Sequence, residues 1–198
     1  MNLLPLAGLA TIVLGLGAAT SNATPLNIVT PLIEQPSPGA SGVNTAATPA
    51  PPSLAETMKG RPLDDQVAAY SRTATDDEEQ DCLANAVYFE ARGEPLVGQL
   101  AVAEVVLNRV GSERYPDTIC DVVKQPWQFS FVRNRRIPVA NRSSEAWRRA
   151  VAIARIAQDR VSNQLGNDVL WYHADYVSPS WGRRLDRTTK IGLHIFYR

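Results

Sequence analysis

The sequence is poor in the residues that metal and redox chemistry use, since its 198 residues include only two histidines and two cysteines. It contains no HExxH or CxxC motif, so the common zinc-binding patterns are absent. Its 20 basic and 20 acidic residues leave no net charge, which argues against nucleic acid as a partner. We therefore expect no metal, no cofactor and no nucleic-acid ligand. With 44% hydrophobic residues, the composition also excludes collagen and wholesale disorder.

The zero net charge is an average over three unlike segments. Residues 1–53 carry one charged residue, and residues 54–79 carry seven acidic against three basic residues. Residues 80–198 carry 17 basic against 12 acidic residues, which gives this part a net charge near +5. The C-terminal part is therefore mildly basic, although the whole chain is neutral.

The N-terminal segments differ in character from the rest of the chain. Residues 3–19 are apolar and uncharged, and they lead into Ser21-Asn22-Ala23, a pattern that signal peptidase cleaves. We predict residues 1–23 as a signal peptide, with an uncleaved membrane anchor as the alternative. Residues 24–79 are predicted as a Pro/Ala/Thr-rich linker and acidic lead-in, with one short helix around residues 64–71. The folded domain is expected at residues 80–198.

Apolar spacing predicts an α+β domain, with helices first and a small antiparallel sheet after them. Thr75 and Glu78 have the spacing of a capping box at the start of the first helix, and Pro95 is expected at the first position of the second helix. The second helix is apolar on most sides, which indicates a central, buried position. The predicted helices are Asp76–Arg92, Pro95–Val110 and Ser144–Val161, and the predicted strands are Gln128–Val132, Val169–Val177 and Ile191–Tyr197.

One glutamate of the first helix is a candidate general acid. Leu83, Val87 and Glu90 recur at helical spacing, so Glu90 shares a face with residues expected in the core. Burial of a carboxyl group raises its pKa, as a general acid working near neutral pH requires. The alternative is a surface position, or an ion pair with Arg92 or Arg109. No other acidic residue has a comparably buried expected position.

The sequence around Glu90 resembles the SleB-type cell-wall hydrolases, the family of the spore-cortex-lytic enzymes. The resemblance covers residues 81–198 in order, and the N-terminal 80 residues lie outside it. It is carried by the segments Cys82–Pro95, Gly98–Val110, Tyr115–Cys120, Gln128–Phe131, Trp171–Trp181 and Ile191–Tyr197. The resemblance implies a lysozyme-related, lytic-transglycosylase-like helical core with a small antiparallel β-sheet. It also implies a peptidoglycan-cleaving glycosidase in which Glu90 matches the catalytic glutamate.

The resemblance implies a mechanism with a single carboxylate. An ordinary glycosidase uses two carboxylates, whereas a lytic transglycosylase uses the 6-hydroxyl of muramic acid as the nucleophile. We expect Glu90 to protonate the leaving oxygen between N-acetylmuramic acid and N-acetylglucosamine, and then to take the proton from that hydroxyl. Glu94 and Asp175 are alternative second acids, although Glu94 is expected to serve the start of the second helix. An N-acetylmuramoyl-L-alanine amidase and a non-catalytic peptidoglycan-binding module remain open as functions.

Six further residues are expected to bind substrate. Gln128 and Ser130 lie in the QFS segment, which the resemblance places beside the active cleft; surface solvation is the alternative. The aromatic rings of Trp171 and Tyr172 suit stacking on sugars, with packing in the core as the alternative. Trp171, His173 and Asp175 alternate along a predicted strand, so we expect their shared face to line the cleft opposite Glu90.

The two cysteines fit an exported domain. Cys82 and Cys120 are expected to form one disulfide that ties the first helix to the segment after the second. Many relatives have further cysteines flanking the QFS segment, near the places that Trp127 and Arg133 occupy here. A mildly basic domain suits peptidoglycan, which carries carboxylates. We expect a monomer in the periplasm or cell envelope, with a membrane contact only through an uncleaved N-terminal segment.

Overall fold

The computed structural model describes residues 50–198, in which helices come first and a three-stranded sheet follows. The predicted signal peptide and residues 24–49 of the predicted linker lie outside the described residues. No helix of residues 50–198 is long and apolar enough to cross a membrane. The elements are α1 (Leu54–Met58), α2 (Leu63–Tyr70), α3 (Glu78–Ala91), α4 (Leu96–Val110), α5 (Ile119–Val123), α6 (Glu145–Gln158), β1 (Trp171–Ala174), a 3₁₀ turn (Ser180–Arg183), β2 (Arg187–Ile191) and β3 (His194–Tyr197).

The core lies where α3, α4 and α6 pack against one another. The α4 helix is the central element, as its apolar pattern predicts, and its side chains from Leu100 to Val106 are buried on every side. The α6 helix begins after Ser144, whose hydroxyl accepts a hydrogen bond from the backbone N–H of Trp147. Trp147 and the small residues that follow it at helical spacing fill the core side of this helix.

The α2 helix confirms the short helix expected around residues 64–71, and it packs into the same core. Tyr70 is only 1% exposed, and its hydroxyl donates a hydrogen bond to Asp159 at 3.0 Å. The buried side-chain amide of Gln66 hydrogen-bonds with Ser162. Because α2 lies before residue 80, a fragment cut at residue 80 would lose part of this core.

The starts of α3 and α4 differ from the predicted starts. Asp77 caps α3 by accepting a hydrogen bond from the backbone N–H of Gln80 at 2.7 Å, so the capping box expected at Thr75 is wrong. An aspartate satisfies the free N–H groups of a helix start as well as a threonine does, and it adds a favourable charge. Pro95 is the N-cap of α4 and not its first helical residue, so this helix begins at Leu96, one residue later than predicted.

The sheet has the order β1-β3-β2, and all its strands are antiparallel. The predicted strand at residues 191–197 is wrong as one continuous strand, because Gly192 adopts a φ of 56° and turns the chain between β2 and β3. The predicted strand at residues 128–132 is also wrong, since this segment forms turns. The predicted strand at residues 169–177 is shorter in the structure, where it covers Trp171–Ala174.

The disulfide between Cys82 and Cys120 is present, with the two Cα atoms 5.2 Å apart. It joins α3 to α5, as the sequence predicts. Near this bond, the carboxylate of Glu79 accepts a hydrogen bond from the backbone N–H of Ile119 at the start of α5. The disulfide and this hydrogen bond together fix α5 against α3, the helix that carries Glu90.

Candidate active site

Glu90 lies in the last turn of α3, half-buried, where this helix meets the loop after α5 and the first strand. The hydroxyl of Tyr172 in β1 donates a hydrogen bond to Oε2 of Glu90 at 3.5 Å. The backbone N–H of Ser130 donates a second hydrogen bond to the same carboxylate. Three separate segments of the chain therefore meet at one carboxyl group.

Burial is the largest influence on the acidity of Glu90, and it raises the pKa of the carboxyl group above its usual value. The hydrogen bonds from Tyr172 and Ser130, and the positive charge of Arg109, act in the opposite direction. Burial thus favours the protonated acid, while the three neighbouring groups stabilise the carboxylate. A group with this balance can release a proton and take one back.

Arg109 supplies a buried positive charge close to Glu90. Its Nε donates a hydrogen bond to the carbonyl of Leu170 at 2.8 Å, which fixes the start of β1 against α4. Its guanidinium also lies over the rings of Tyr115 and Phe129, at 5.1 and 5.8 Å from their centroids. The ion pair between Arg109 and Glu90 that the sequence left open is not formed among the salt bridges of residues 50–198, but the charge still acts on Glu90 through space.

Tyr172 reaches Glu90 because of how the sheet packs on α4. Tyr172 is paired with Phe196 of β3, and Phe196 is fully buried against Ala101 and Val105 of α4. This face of β1 therefore points inward. The expectation that the face of Trp171, His173 and Asp175 lies opposite Glu90 is wrong, because adjacent residues of a strand point to opposite sides of the sheet.

The structure places the other predicted strand residues away from Glu90. The ring of Trp171 lies under the guanidinium of Arg114, at 5.6 Å from the ring centroid. His173 hydrogen-bonds through Nε2 to the hydroxyl of Tyr197 at 2.9 Å. Asp175 lies after the end of β1 and forms an ion pair with Lys190 at 2.6 Å; this partner lowers the pKa of the aspartate.

The QFS segment contacts Glu90 through its backbone. Ser130 contributes its N–H to the carboxylate, while its side chain is exposed. The side chain of Gln128 is exposed on the same turn. The phenylalanines of the segment hold it in place, because Phe129 is buried and Phe131 stacks on Phe89 with ring centroids 5.0 Å apart.

Glu94 holds the β2–β3 turn rather than the start of α4. Its carboxylate accepts a hydrogen bond from the backbone N–H of Leu193 at 2.9 Å, and α4 has no side-chain cap. Glu94 also lies so close to Gly192 that a Cβ atom on this glycine would overlap its carboxylate. The absence of a side chain at Gly192 therefore permits both the positive φ and this contact.

Glu104 is the acidic residue that sequence reasoning missed. It lies on the apolar α4 helix and is 7% exposed, so the expectation that no other acid is as buried as Glu90 is wrong. Its carboxylate accepts hydrogen bonds from the backbone N–H groups of Gln164 and Leu165, each at 2.8 Å at its shortest. Burial raises the pKa of Glu104 to about 7. An acid inside an apolar run was the signal that could have identified it. Its contacts fix a loop and are separate from those of Glu90.

One group of potential metal ligands occurs in the described part of the chain, and it consists of Glu78, Cys82 and Cys120. Both sulfur atoms of this group are used by the disulfide. His173 and His194 do not join a group of this kind among residues 50–198. The close approach of these side chains is therefore explained by the disulfide between Cys82 and Cys120.

The chain is similar in sequence to spore cortex-lytic enzymes. The chain is 38% identical over 120 residues to a spore cortex-lytic enzyme of Halalkalibacterium halodurans, covering 61% of this chain and 34% of that enzyme. It is 38% identical over 114 residues to a spore cortex-lytic enzyme of Bacillus cereus, covering 58% of this chain and 42% of that enzyme. The chain thus spans between a third and a half of the length of these curated relatives.

Solved structures show the same relationship. The catalytic domain of the germination-specific lytic transglycosylase SleB from Bacillus anthracis is similar with a TM-score of 0.52 and 35% identity, covering 64% of this chain and 98% of that domain. The catalytic domain of SleB from Bacillus cereus is similar with a TM-score of 0.50 and 35% identity, covering 64% and 94%. These likenesses confirm the expected α+β, lytic-transglycosylase-like fold.

The sequence profile that describes the cell wall hydrolases matches residues 93–197, which is more than half of the chain. This match begins three residues after Glu90 and includes Ser130, Tyr172 and the whole sheet. On this match and on the likeness to the SleB domains, the chain belongs to the cell wall hydrolase family.

Proposed function

We propose that the protein cleaves the glycan strand of peptidoglycan between N-acetylmuramic acid and N-acetylglucosamine, as a lytic transglycosylase. The observation that carries the proposal is the half-buried carboxyl group of Glu90, held by Tyr172 and by the backbone of Ser130. Membership in the cell wall hydrolase family and the likeness to a lytic transglycosylase domain support the same reaction. Peptidoglycan as substrate is consistent with this family.

In the first step, the protonated carboxyl group of Glu90 gives its proton to the oxygen that links the two sugars. Burial favours this protonated form before the reaction. As the bond between the anomeric carbon and that oxygen breaks, the negative charge that develops on Glu90 is stabilised by Tyr172, Ser130 and Arg109. The burial of Tyr172 raises the pKa of its hydroxyl well above the usual value, so this group stays protonated as a donor.

In the second step, the carboxylate of Glu90 takes the proton of the 6-hydroxyl of muramic acid. The oxygen of this hydroxyl bonds to the anomeric carbon, and a 1,6-anhydro ring closes. No water is consumed, and Glu90 returns to its protonated form. The nucleophile belongs to the substrate, so this mechanism requires no second carboxylate.

The contacts of the two alternative acidic residues, Asp175 and Glu94, support a mechanism with one carboxylate. Asp175 is paired with Lys190, and Glu94 accepts a hydrogen bond from the backbone of Leu193. Neither of them hydrogen-bonds with Glu90 or with its donors within residues 50–198. An inverting or retaining glycosidase places two carboxyl groups across the bond that it cleaves.

Mass spectrometry of the products from purified sacculi tests the proposal. The full chain is expected to release muropeptides that end in 1,6-anhydromuramic acid. Reducing ends that have gained one water would indicate a hydrolase with two carboxylates. Free stem peptides would indicate an N-acetylmuramoyl-L-alanine amidase, and sacculi that are bound but not cleaved would indicate a binding module. Each of these three results would overturn the proposal.

The proposed substrate also determines the compartment in which the protein acts. Family membership and the spore cortex-lytic relatives indicate action on peptidoglycan outside the cytoplasm. We propose that the chain is exported by residues 1–23 and acts as a monomer in the periplasm or cell envelope. Fractionation of cells that express a tagged chain tests the compartment, and a cytoplasmic location would contradict it.

A further inference from the structure

The turn after α5 carries a tryptophan whose side chain is not packed against the described part of the chain. Trp127 is 100% exposed, and its backbone has a φ of 67°. This left-handed conformation is unfavourable for a bulky residue. Neither burial nor backbone preference therefore accounts for a large apolar ring here, and exposed apolar surface of this kind marks interaction sites.

A tight turn with unpaired positive charges follows the tryptophan. Arg133 and Arg136 exchange two backbone hydrogen bonds, at 3.0 and 2.9 Å, around the corner residues Asn134 and Arg135. Arg135 forms an ion pair with Asp121 at 2.9 Å. Arg133 and Arg136 are exposed, and neither forms a salt bridge with an acidic residue of the described ranges. The turn thus presents two guanidinium groups to an outside partner.

The tryptophan and the turn line one open pocket. Its volume is about 430 Å³, within the range of roughly 300–1,000 Å³ that is typical of ligand sites. The lining residues are Pro126, Trp127, Val132, Arg133, Asn134 and Arg135. An aromatic ring and cationic groups therefore border the same open space.

The same loop contacts Glu90. Ser130 lies between Trp127 and the turn, and its backbone N–H donates a hydrogen bond to the carboxylate of Glu90. Phe131 stacks on Phe89, the residue before Glu90. The pocket therefore lies on the loop that contacts Glu90.

We propose that residues 126–136 form a second contact surface for peptidoglycan, specific for glycan that carries peptide stems. The indole of Trp127 stacks on a sugar ring, and the guanidinium groups of Arg133 and Arg136 bind the carboxylates of a stem. The inference rests on the proposed function. Charge complementarity carries the choice of ligand, because stem peptides are the carboxylate-bearing part that stands beside the glycan in this polymer, and arginine pairs well with carboxylates.

Binding of the full chain, in a Glu90→Gln background that does not cleave, tests this surface. The probes are intact sacculi and oligomers of N-acetylglucosamine, a neutral glycan that carries neither peptide stems nor the lactyl carboxylates that an amidase would expose on muramic acid. Trp127→Ala is expected to weaken binding to both probes about five- to tenfold, because stacking on the sugar is lost. Trp127→Phe, which keeps an aromatic ring, should restore part of this loss.

The charge part of the surface is tested with Arg133→Gln combined with Arg136→Gln. This variant is expected to weaken binding to intact sacculi about fivefold or more at low salt, and to leave binding to the neutral oligomers unchanged. Its matched control, Lys59→Gln combined with Arg72→Gln, removes two exposed positive charges near α1 and α2 and should bind both probes as the parent does.

Several results would overturn the inference. They include unchanged binding of the Trp127→Ala variant, an equal change or no change on both probes for the arginine variant, and a loss of the same size for the control. Binding to vesicles of an anionic phospholipid that is stronger than binding to sacculi would make the surface a membrane site and would also overturn it. If the unsubstituted chain gives the expected cleavage products but all variants bind as it does, this inference alone is refuted. If binding depends on Trp127 but the unsubstituted chain does not cleave sacculi, the proposed function alone is refuted.

Discussion

The hydroxyl of Tyr172 donates a hydrogen bond to Oε2 of Glu90 at 3.5 Å, although 82 residues separate the two in the sequence. This contact joins the last turn of α3 to the first strand of the sheet. It depends on the inward packing of Phe196, the cross-strand neighbour of Tyr172. The sheet thus serves the candidate site by holding one donor against the carboxyl group.

Tyr172→Phe is expected to reduce kcat by about 10- to 100-fold, because a hydrogen bond to a charged group contributes roughly 1.5–3 kcal/mol. This donor lowers the pKa of Glu90, so its removal raises that pKa further. The reaction needs protonated Glu90, and activity falls as the pH rises through this pKa. The falling limb of the pH–rate profile should therefore move to higher pH in the variant.

Tyr176→Phe is the matched control for this prediction, since Tyr176 is 81% exposed. It should leave both kcat and the pH–rate profile unchanged. An unchanged profile for Tyr172→Phe would show that this hydroxyl does not act on the general acid.

Glu104 is expected to make stability depend on pH. The pKa of its carboxyl group is about 7 in the folded protein, against 4.5 for the unperturbed group. Ionisation is therefore less favourable in the folded state, and the free energy of unfolding should fall by about 2–3 kcal/mol between pH 4.5 and pH 7.

Urea unfolding at pH 5 and pH 8 measures this effect. The difference between the two pH values should be smaller for Glu104→Gln than for the unsubstituted chain. Glu145→Gln, which changes an exposed glutamate on α6, serves as the control and should keep the full difference. An identical difference in all three proteins would contradict the assignment to Glu104.

The disulfide is expected to stabilise the fold by about 3–4 kcal/mol, because it closes a long loop in the unfolded chain. The double variant Cys82→Ala and Cys120→Ala should lose this amount in chemical denaturation. A reducing agent should destabilise the unsubstituted chain and have no effect on the double variant. Equal sensitivity of both proteins to the reducing agent would contradict this role.

The helices could be predicted from the sequence because their apolar residues recur with a helical period. The α4 helix is apolar on most sides and is central, and Ser144 marks the start of α6 as an N-cap. Glu90 was found in the same way, as a carboxyl group on an apolar stripe. Here local pattern and tertiary packing agree.

The sheet could be predicted only in part because its strands lack a clear alternation. The β2 strand reads Arg-Thr-Thr-Lys-Ile and lies at an edge, where polar residues face solvent. In the QFS segment, the two phenylalanines alternate with polar residues as in a strand, yet both pack from a turn. Only the packing of Phe196 on α4 determines that Tyr172, rather than Trp171, faces Glu90.

Cleavage rates of three carboxyl variants on purified sacculi test most directly whether Glu90 acts alone. Glu90→Gln is expected to lower the rate of anhydromuropeptide release by about a thousandfold or more, since one residue serves as both acid and base. Asp175→Asn and Glu94→Gln should stay within about threefold of the unsubstituted chain when folded, because neither carboxylate takes part in the reaction. A Glu90→Gln variant that retains activity, or an Asp175→Asn variant as inactive as Glu90→Gln, would contradict the single-carboxylate mechanism.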